Sequence, residues 1–74
     1  MAAERVVMRV KGMHCQDCVR RVAESLLGVE GVDDVEVELD EARAEVQLNE
    51  GETVERATLI DAVEEAGFSV ERFE

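Results

Sequence analysis

The stretch KGMHCQDC, residues 11–18, sets two thiols three positions apart, directly after a glycine and a methionine. Four kinds of chemistry use such a pair. A structural zinc site needs about four ligands in a tetrahedron. Cys15, Cys18 and the chain's one histidine, His14, supply three, so a carboxylate would have to complete it. A disulfide staple across so short a loop removes little entropy from the unfolded chain and forms only under oxidising conditions. In a redox couple at a helix start, the helix dipole would pull the first thiol below its free pKa of about 8.5. That arrangement belongs to thioredoxin folds, which need a longer chain, an aromatic residue before the motif and a proline packed across it, and this chain has no proline.

The fourth chemistry is a two-sulfur grip on a soft metal ion. Residues at i and i+3 on a first helical turn bring their Cβ atoms to about 5–6 Å. Two metal–thiolate bonds of about 2.3 Å each span at most about 4.6 Å, so one ion fits between the sulfurs in a near-linear bridge. Monovalent copper and mercuric ion both accept two soft thiolates. Backbone N–H groups at a helix N-terminus favour the negative charge of the pair. Such a site is open by construction, and a third thiolate can attack before the first departs.

These thiols need a loop that leaves a strand and enters a helix, and the hydrophobic pattern provides one. In ERVVMRVKG, Val6, Met8 and Val10 alternate, which predicts strand β1 from about Glu4 to Val10. The period then changes: Val19, Val22, Ala23, Leu26 and Leu27 recur at helical steps, with Gly28 as a left-handed stop and Val29 behind it. Val35, Val37 and Leu39 alternate as β2. The turn DEAR follows, and Ala44, Val46 and Leu48 form β3, giving an antiparallel hairpin. A second helix is expected with Thr53 as N-cap, a stripe of Val54, Ala57, Ile60 and Val63 with Leu59 or Ala66, and Gly67 as its end. FSVERF supplies a last short strand. The order β-α-β-β-α-β is the α+β ferredoxin-like split unit, a four-stranded antiparallel sheet with both helices on one face.

With 74 residues the chain is expected to be a single domain, residues 1–74. A domain this small buries only roughly 60% of the surface its unfolded chain exposes. The hydrophobic residues are small and branched, with two Phe and neither Tyr nor Trp, so no aromatic pair is available to stack a base or a sugar. A net charge of −11 excludes a nucleic-acid partner and disfavours anionic membranes. No apolar run approaches the ~20 residues of a membrane span, and no signal-peptide core precedes β1, so the cytoplasm is the expected location. No nucleophile with a base and no phosphate-binding loop is visible, and the chain is expected not to be an enzyme.

GMHCQDC is similar to the G-M-x-C-x-x-C signature of heavy-metal-associated domains, the family of small copper chaperones and of the N-terminal modules of metal-transporting P-type ATPases. The resemblance continues through LLGVEGVDDVEVEL, like the family's helix end and second strand, and LIDAVEEAGFSV, like its second helix and final loop. It implies that Cys15 and Cys18 are the metal ligands and that Met13 is a buried anchor of the loop. Phe68 takes a position where bacterial copper chaperones commonly carry Tyr; it keeps the packing and lacks the hydroxyl. Zinc- and cadmium-exporting relatives often have Asp before the first Cys, where this chain has His14, which points away from zinc. The implied function is carriage of Cu(I), with Hg(II) or Zn(II) as the alternative ion. The implied recipient is a copper-transporting P-type ATPase or another metal-receiving protein of like fold.

Several residues carry a plain reading beside the functional one. His14, on an exposed loop, is either a bystander or a weak third ligand in a metal-bridged dimer; otherwise the chain is expected to be a monomer. Lys11, Arg20 and Arg21 lie within three positions of a motif cysteine and are three of only eight basic residues. They form either a solvated face or a positive patch that balances the thiolates and meets an acidic partner. Met8 alternates with two valines and reads as core. A thiol–disulfide redox protein remains the alternative function.

Overall fold

The computed structural model describes residues 4–74. Its elements are β1 (Arg5–Lys11), α1 (Gln16–Leu27), β2 (Val32–Glu38), β3 (Arg43–Leu48), α2 (Arg56–Glu65) and β4 (Ser69–Phe73). The strands form one antiparallel sheet in the order β2-β3-β1-β4. Alternation decides which side of that sheet is covered. Met8 and Val10 of β1 and Ala44, Val46 and Leu48 of β3 join Val22 and Leu26 of α1 and Leu59, Ala62 and Val63 of α2 in one buried cluster. Both helices therefore cover the same face, and the other face is open. Leu26 and Leu59 are fully buried; burial of such a side chain is worth about 1.5–3 kcal/mol.

Two bulges keep this alternation consistent. Val10 faces Val70 while Arg9 faces Arg72, so Glu71 is an extra residue on β4 and Phe73 returns to the covered side opposite Met8. Likewise Val32 faces Leu48 and Asp34 faces Gln47, so Asp33 is extra on β2. Val32 thereby shares the core face with Val35 and Val37, and all three pack against the cluster.

The helix ends differ from the sequence expectation in instructive ways. Gly28 caps α1 with φ −76°, ordinary right-handed geometry, and the left-handed residue comes three positions later at Gly31, φ +95°. The chain continues its turn through Val29 N–H to Leu26 O before reversing, so the reversal falls where a side chain has no room. A Cβ on Gly31 would lie 2.9 Å from Val54 Cγ2. The α2 cap is Glu55, not Thr53, and it makes no side-chain capping bond. Because the helix begins at Arg56, its buried stripe is Leu59, Ala62 and Val63. Ala57, about 160° around the helix from Leu59 at roughly 100° per residue, is exposed, and Ile60 is half-buried. On α1, Leu27 lies off the stripe and is 47% exposed. Leu39 falls in the β2–β3 turn, where its carbonyl accepts from Ala42 N–H.

That turn contains the one non-glycine residue with positive φ among the described residues, Ala42 at φ 51°. A left-handed L-residue costs about 1–2 kcal/mol, partly offset on replacement by the greater unfolded-state freedom of Gly. Ala42→Gly is expected to raise stability by about 0.5–1 kcal/mol in urea unfolding. Gly31→Ala, strained in φ and pressed against Val54, is expected to lower it by more than about 1 kcal/mol.

Candidate metal centre

The loop Gly12–Cys15 leaves the end of β1 and feeds α1. Gly12, at φ +90°, turns the chain. Met13 then drops into the core with 4% of its surface exposed, which pins the loop to the cluster. His14 and Cys15 stay exposed. Cys15 is the N-cap of α1, with extended backbone (φ −148°, ψ 167°), and its sulfur accepts a hydrogen bond from Cys18 N–H at 3.3 Å. The cysteine does what Ser or Asp does at this position, giving an orphan N–H of the first turn an acceptor. Its carbonyl accepts from Val19 N–H at 3.1 Å.

This geometry brings the two sulfurs to 2.6 Å, as free thiols sharing a hydrogen bond. Cys18, in the first turn, is half-buried and packs against the core cluster. Its thiol is held below the ordinary thiol range, first by the hydrogen bond from the Cys15 side chain and then by the backbone of His14. The Cys15 backbone and the charge of Arg21 act in the same sense, while partial desolvation opposes them. In this geometry the Cys15 thiol is placed to donate to the Cys18 sulfur when Cys18 is deprotonated.

A second loop supports the first. At the end of α2, Gly67 N–H bonds to Glu64 O at 3.0 Å and Phe68 N–H to Val63 O at 3.1 Å. With Gly67 at φ +97°, this is a complete Schellman cap. It turns Phe68 back onto the core, and the pairing of Lys11 with Ser69 sets Phe68 beside Gly12. A Cβ on Gly12 would lie 3.4 Å from Phe68 Cδ1. The sequence reading named Phe68 as support for the loop but not Gly12 as its counterpart. The signal was present in the two glycine-containing loops, and only the sheet register joins them.

Of the other candidate residues, Lys11 is exposed at the end of β1, and Arg20 and Arg21 are exposed on α1. Among the described residues, no group of three His, Cys, Asp or Glu side chains is placed to hold a metal ion, so His14 does not complete a cluster with the two sulfurs. Among the described residues no helix is long and apolar enough to cross a membrane.

Residues 7–69 match the model of the heavy-metal-associated domain. The chain belongs to this metal-binding family. It is similar to mercuric reductase of Shewanella putrefaciens, 38% identical over 63 residues, a match covering 85% of this chain but only 11% of that enzyme. It is similar also to the copper chaperone CopZ of Staphylococcus epidermidis, 34% identical over 64 residues, covering 86% of this chain and 93% of the chaperone. The solved structure of a CopZ metallochaperone superposes with TM-score 0.82 at 28% identity, covering 90% of this chain and 98% of that one. The likenesses span copper and mercury proteins and include a solved structure described in terms of both Cu(I) and Zn(II), so they leave the metal unspecified.

The apo arrangement has a spectroscopic consequence. The thiolate absorbance of the reduced protein is expected to rise at lower pH than that of a free cysteine, and Cys15→Ala should move this rise back upward by removing the main cause. A stability contribution follows with the same sign: it is present above the ordinary thiol pKa and is lost as pH falls through the lowered pKa of Cys18. A Cys15→Ala titration coincident with wild type would remove the proposed hydrogen bond from the account.

Proposed function

We propose that this chain, acting as one heavy-metal-associated domain, binds Cu(I) through Cys15 and Cys18 and hands it to a recipient by thiolate exchange in the cytoplasm. The observation that carries the reading is an exposed cap thiol next to a half-buried one, at a helix N-terminus, with no third donor grouped with them among the described residues. Likeness to a copper chaperone over nearly its full length supports carriage rather than turnover. The match to mercuric reductase is confined to a small part of that enzyme, so it lends the whole enzyme's turnover no support.

The geometry gives the binding step definite parts. A linear sulfur–metal–sulfur bridge spans about 4.6 Å, so the sulfurs, at 2.6 Å in the apo state, must separate by about 2 Å to admit the ion. Cys18 is fixed by its helix and by the core, so Cys15 does the moving: its side chain rotates out from the cap position into solvent. The ion replaces the shared proton, and binding therefore releases protons and strengthens as pH rises. Met13 and Phe68 hold the loop while Cys15 rotates. His14 is a neighbour of the site rather than a ligand.

Transfer reverses these events. A recipient thiolate attacks the open side of the two-coordinate ion, and the exposed Cys15 is the sulfur to leave first. Lys11, Arg20 and Arg21 supply positive charge at the rim, which offsets the anionic copper–bis-thiolate and meets acidic groups on the recipient. A copper-transporting P-type ATPase domain or another copper-receiving protein fits this role.

Reduced protein is expected to take up one Cu(I) per chain, with X-ray absorption reporting two sulfur neighbours. Cys15→Ser and Cys18→Ser should each abolish this uptake while leaving the circular dichroism of the fold unchanged; uptake retained in either variant, or four protein donors around the ion, would overturn the assignment. Charge reversal of Arg20 and Arg21 to Glu should slow delivery to a copper-receiving domain by roughly tenfold or more at low salt, measured on protein fully loaded with Cu(I). Delivery at the wild-type rate would take the two arginines out of the transfer step.

A further inference from the structure

Among the described residues, ion pairs are confined to one side. Every pair formed among the described residues (Arg5–Glu45, Arg9–Glu74, Arg43–Glu41 and Arg72 with Glu71 and Glu74) involves strands β1, β3 and β4 and their ends, away from the helices. The helical side has no such compensation. Between α1 and α2 runs a shallow groove walled by Glu24 and Ser25 on one helix and by Thr58, Asp61 and Glu65 on the other, with Arg21 at one end. Glu24, Asp61 and Glu65 are exposed, and none forms an ion pair among the described residues. Arg21 is one helical turn beyond Cys18, so the mouth of the groove adjoins the thiols. The sign of the surface charge thus reverses over about 4.5 Å of helix rise, from Arg21 to Glu24.

We infer that this groove is a docking surface for the metal recipient and that the recipient presents lysine or arginine side chains to it. The inference rests on the reading of Cys15 and Cys18 as a Cu(I)-donating pair. Charge complementarity selects the occupant, because three uncompensated carboxylates on a chain of net charge −11 attract a basic surface and repel an acidic one. The same pattern works against a second copy of this chain. A second copy of this chain carries the same net charge of −11 and the same three carboxylates. Two identical chains approach against a like-charge repulsion that a recipient with a basic surface does not meet. The groove therefore disfavours the metal-bridged homodimer and favours transfer onward.

The test needs no identified recipient. Wild-type chain loaded with Cu(I) is mixed with isotope-labelled apo acceptor, and ion exchange is followed by NMR at about 0.01 M and about 1 M salt, where the screening length falls from about 30 Å to about 3 Å. One acceptor is the unmodified chain; the other carries Glu24→Lys, Asp61→Lys and Glu65→Lys and keeps both cysteines. Transfer to the lysine acceptor is expected to be at least tenfold faster at low salt, within the range of electrostatic steering, and the advantage should vanish at high salt. A second arm avoids added charge: exchange between two copies of the neutral variant E24Q/D61N/E65Q should be faster than between two wild-type copies at low salt. Equal rates in that arm, or no advantage for a folded lysine acceptor, overturn the docking surface while leaving the thiol site intact. Failure of the wild-type chain to take up Cu(I) in a separate titration would instead remove the donor reading on which the inference stands.

Discussion

An α-helix begins with backbone N–H groups that have no partner in the helix, and something outside must accept from them. In this protein the acceptor at the start of α1 is a sulfur, and much of the candidate site depends on that choice. For Cys15 to reach Cys18 N–H, its own backbone must be extended rather than helical. The chain must therefore bend sharply between the end of β1 and the cap, which Gly12 permits and buried Met13 holds. The bend leaves Cys15 in solvent and Cys18 against the core. A single capping requirement thus produces two chemically unequal thiols from two identical residues.

The element order and the sheet face were readable because alternation and helical stripes report burial directly. Met8, Val10, Val22, Leu26, Ala44, Val46 and Leu48 all fall where their periodicity assigns them. What escaped were features that periodicity does not encode. The bulges at Glu71 and Asp33 add one residue without changing composition, and only a partner strand reveals them. Thr53 has the better capping side chain, yet α2 starts after Glu55. Gly28 follows the helical run as a stop residue would, but the reversal waits for Gly31, where packing against Val54 excludes any side chain. The thiol pair was visible at once from its spacing. Its inequality was not, because it arises from where the helix boundary falls, and boundaries are what local pattern fixes least.

The charges divide in the same sense as the layers. On the open face of the sheet, Arg9 lies in register between Arg43 and Arg72, a row of like charges that would repel across neighbouring strands. Glu74 and Glu41 lie between them: Arg9 donates to the Glu74 carboxylate at 2.8 Å and to the Glu41 carbonyl at 2.7 Å. That face spends its bases on its own acids. On the helical face Glu24, Asp61 and Glu65 form no ion pair among the described residues, which leaves a net field beside the thiols.

In the proposed role, a carrier must hold its ion firmly and yet release it, and these demands conflict only if both ligands are equivalent. Here they are not. Cys18 is fixed by its place in the first turn and by its contact with the core, so its bond to an ion costs little further ordering. Cys15 must give up its capping bond to bind, and it can resume that bond on release. Departure of the ion from Cys15 therefore does not leave an orphan N–H at the helix start, because the returning sulfur satisfies it. The cap that shapes the apo site also lowers the cost of leaving the loaded one, and a closed four-donor cage would have no such return path.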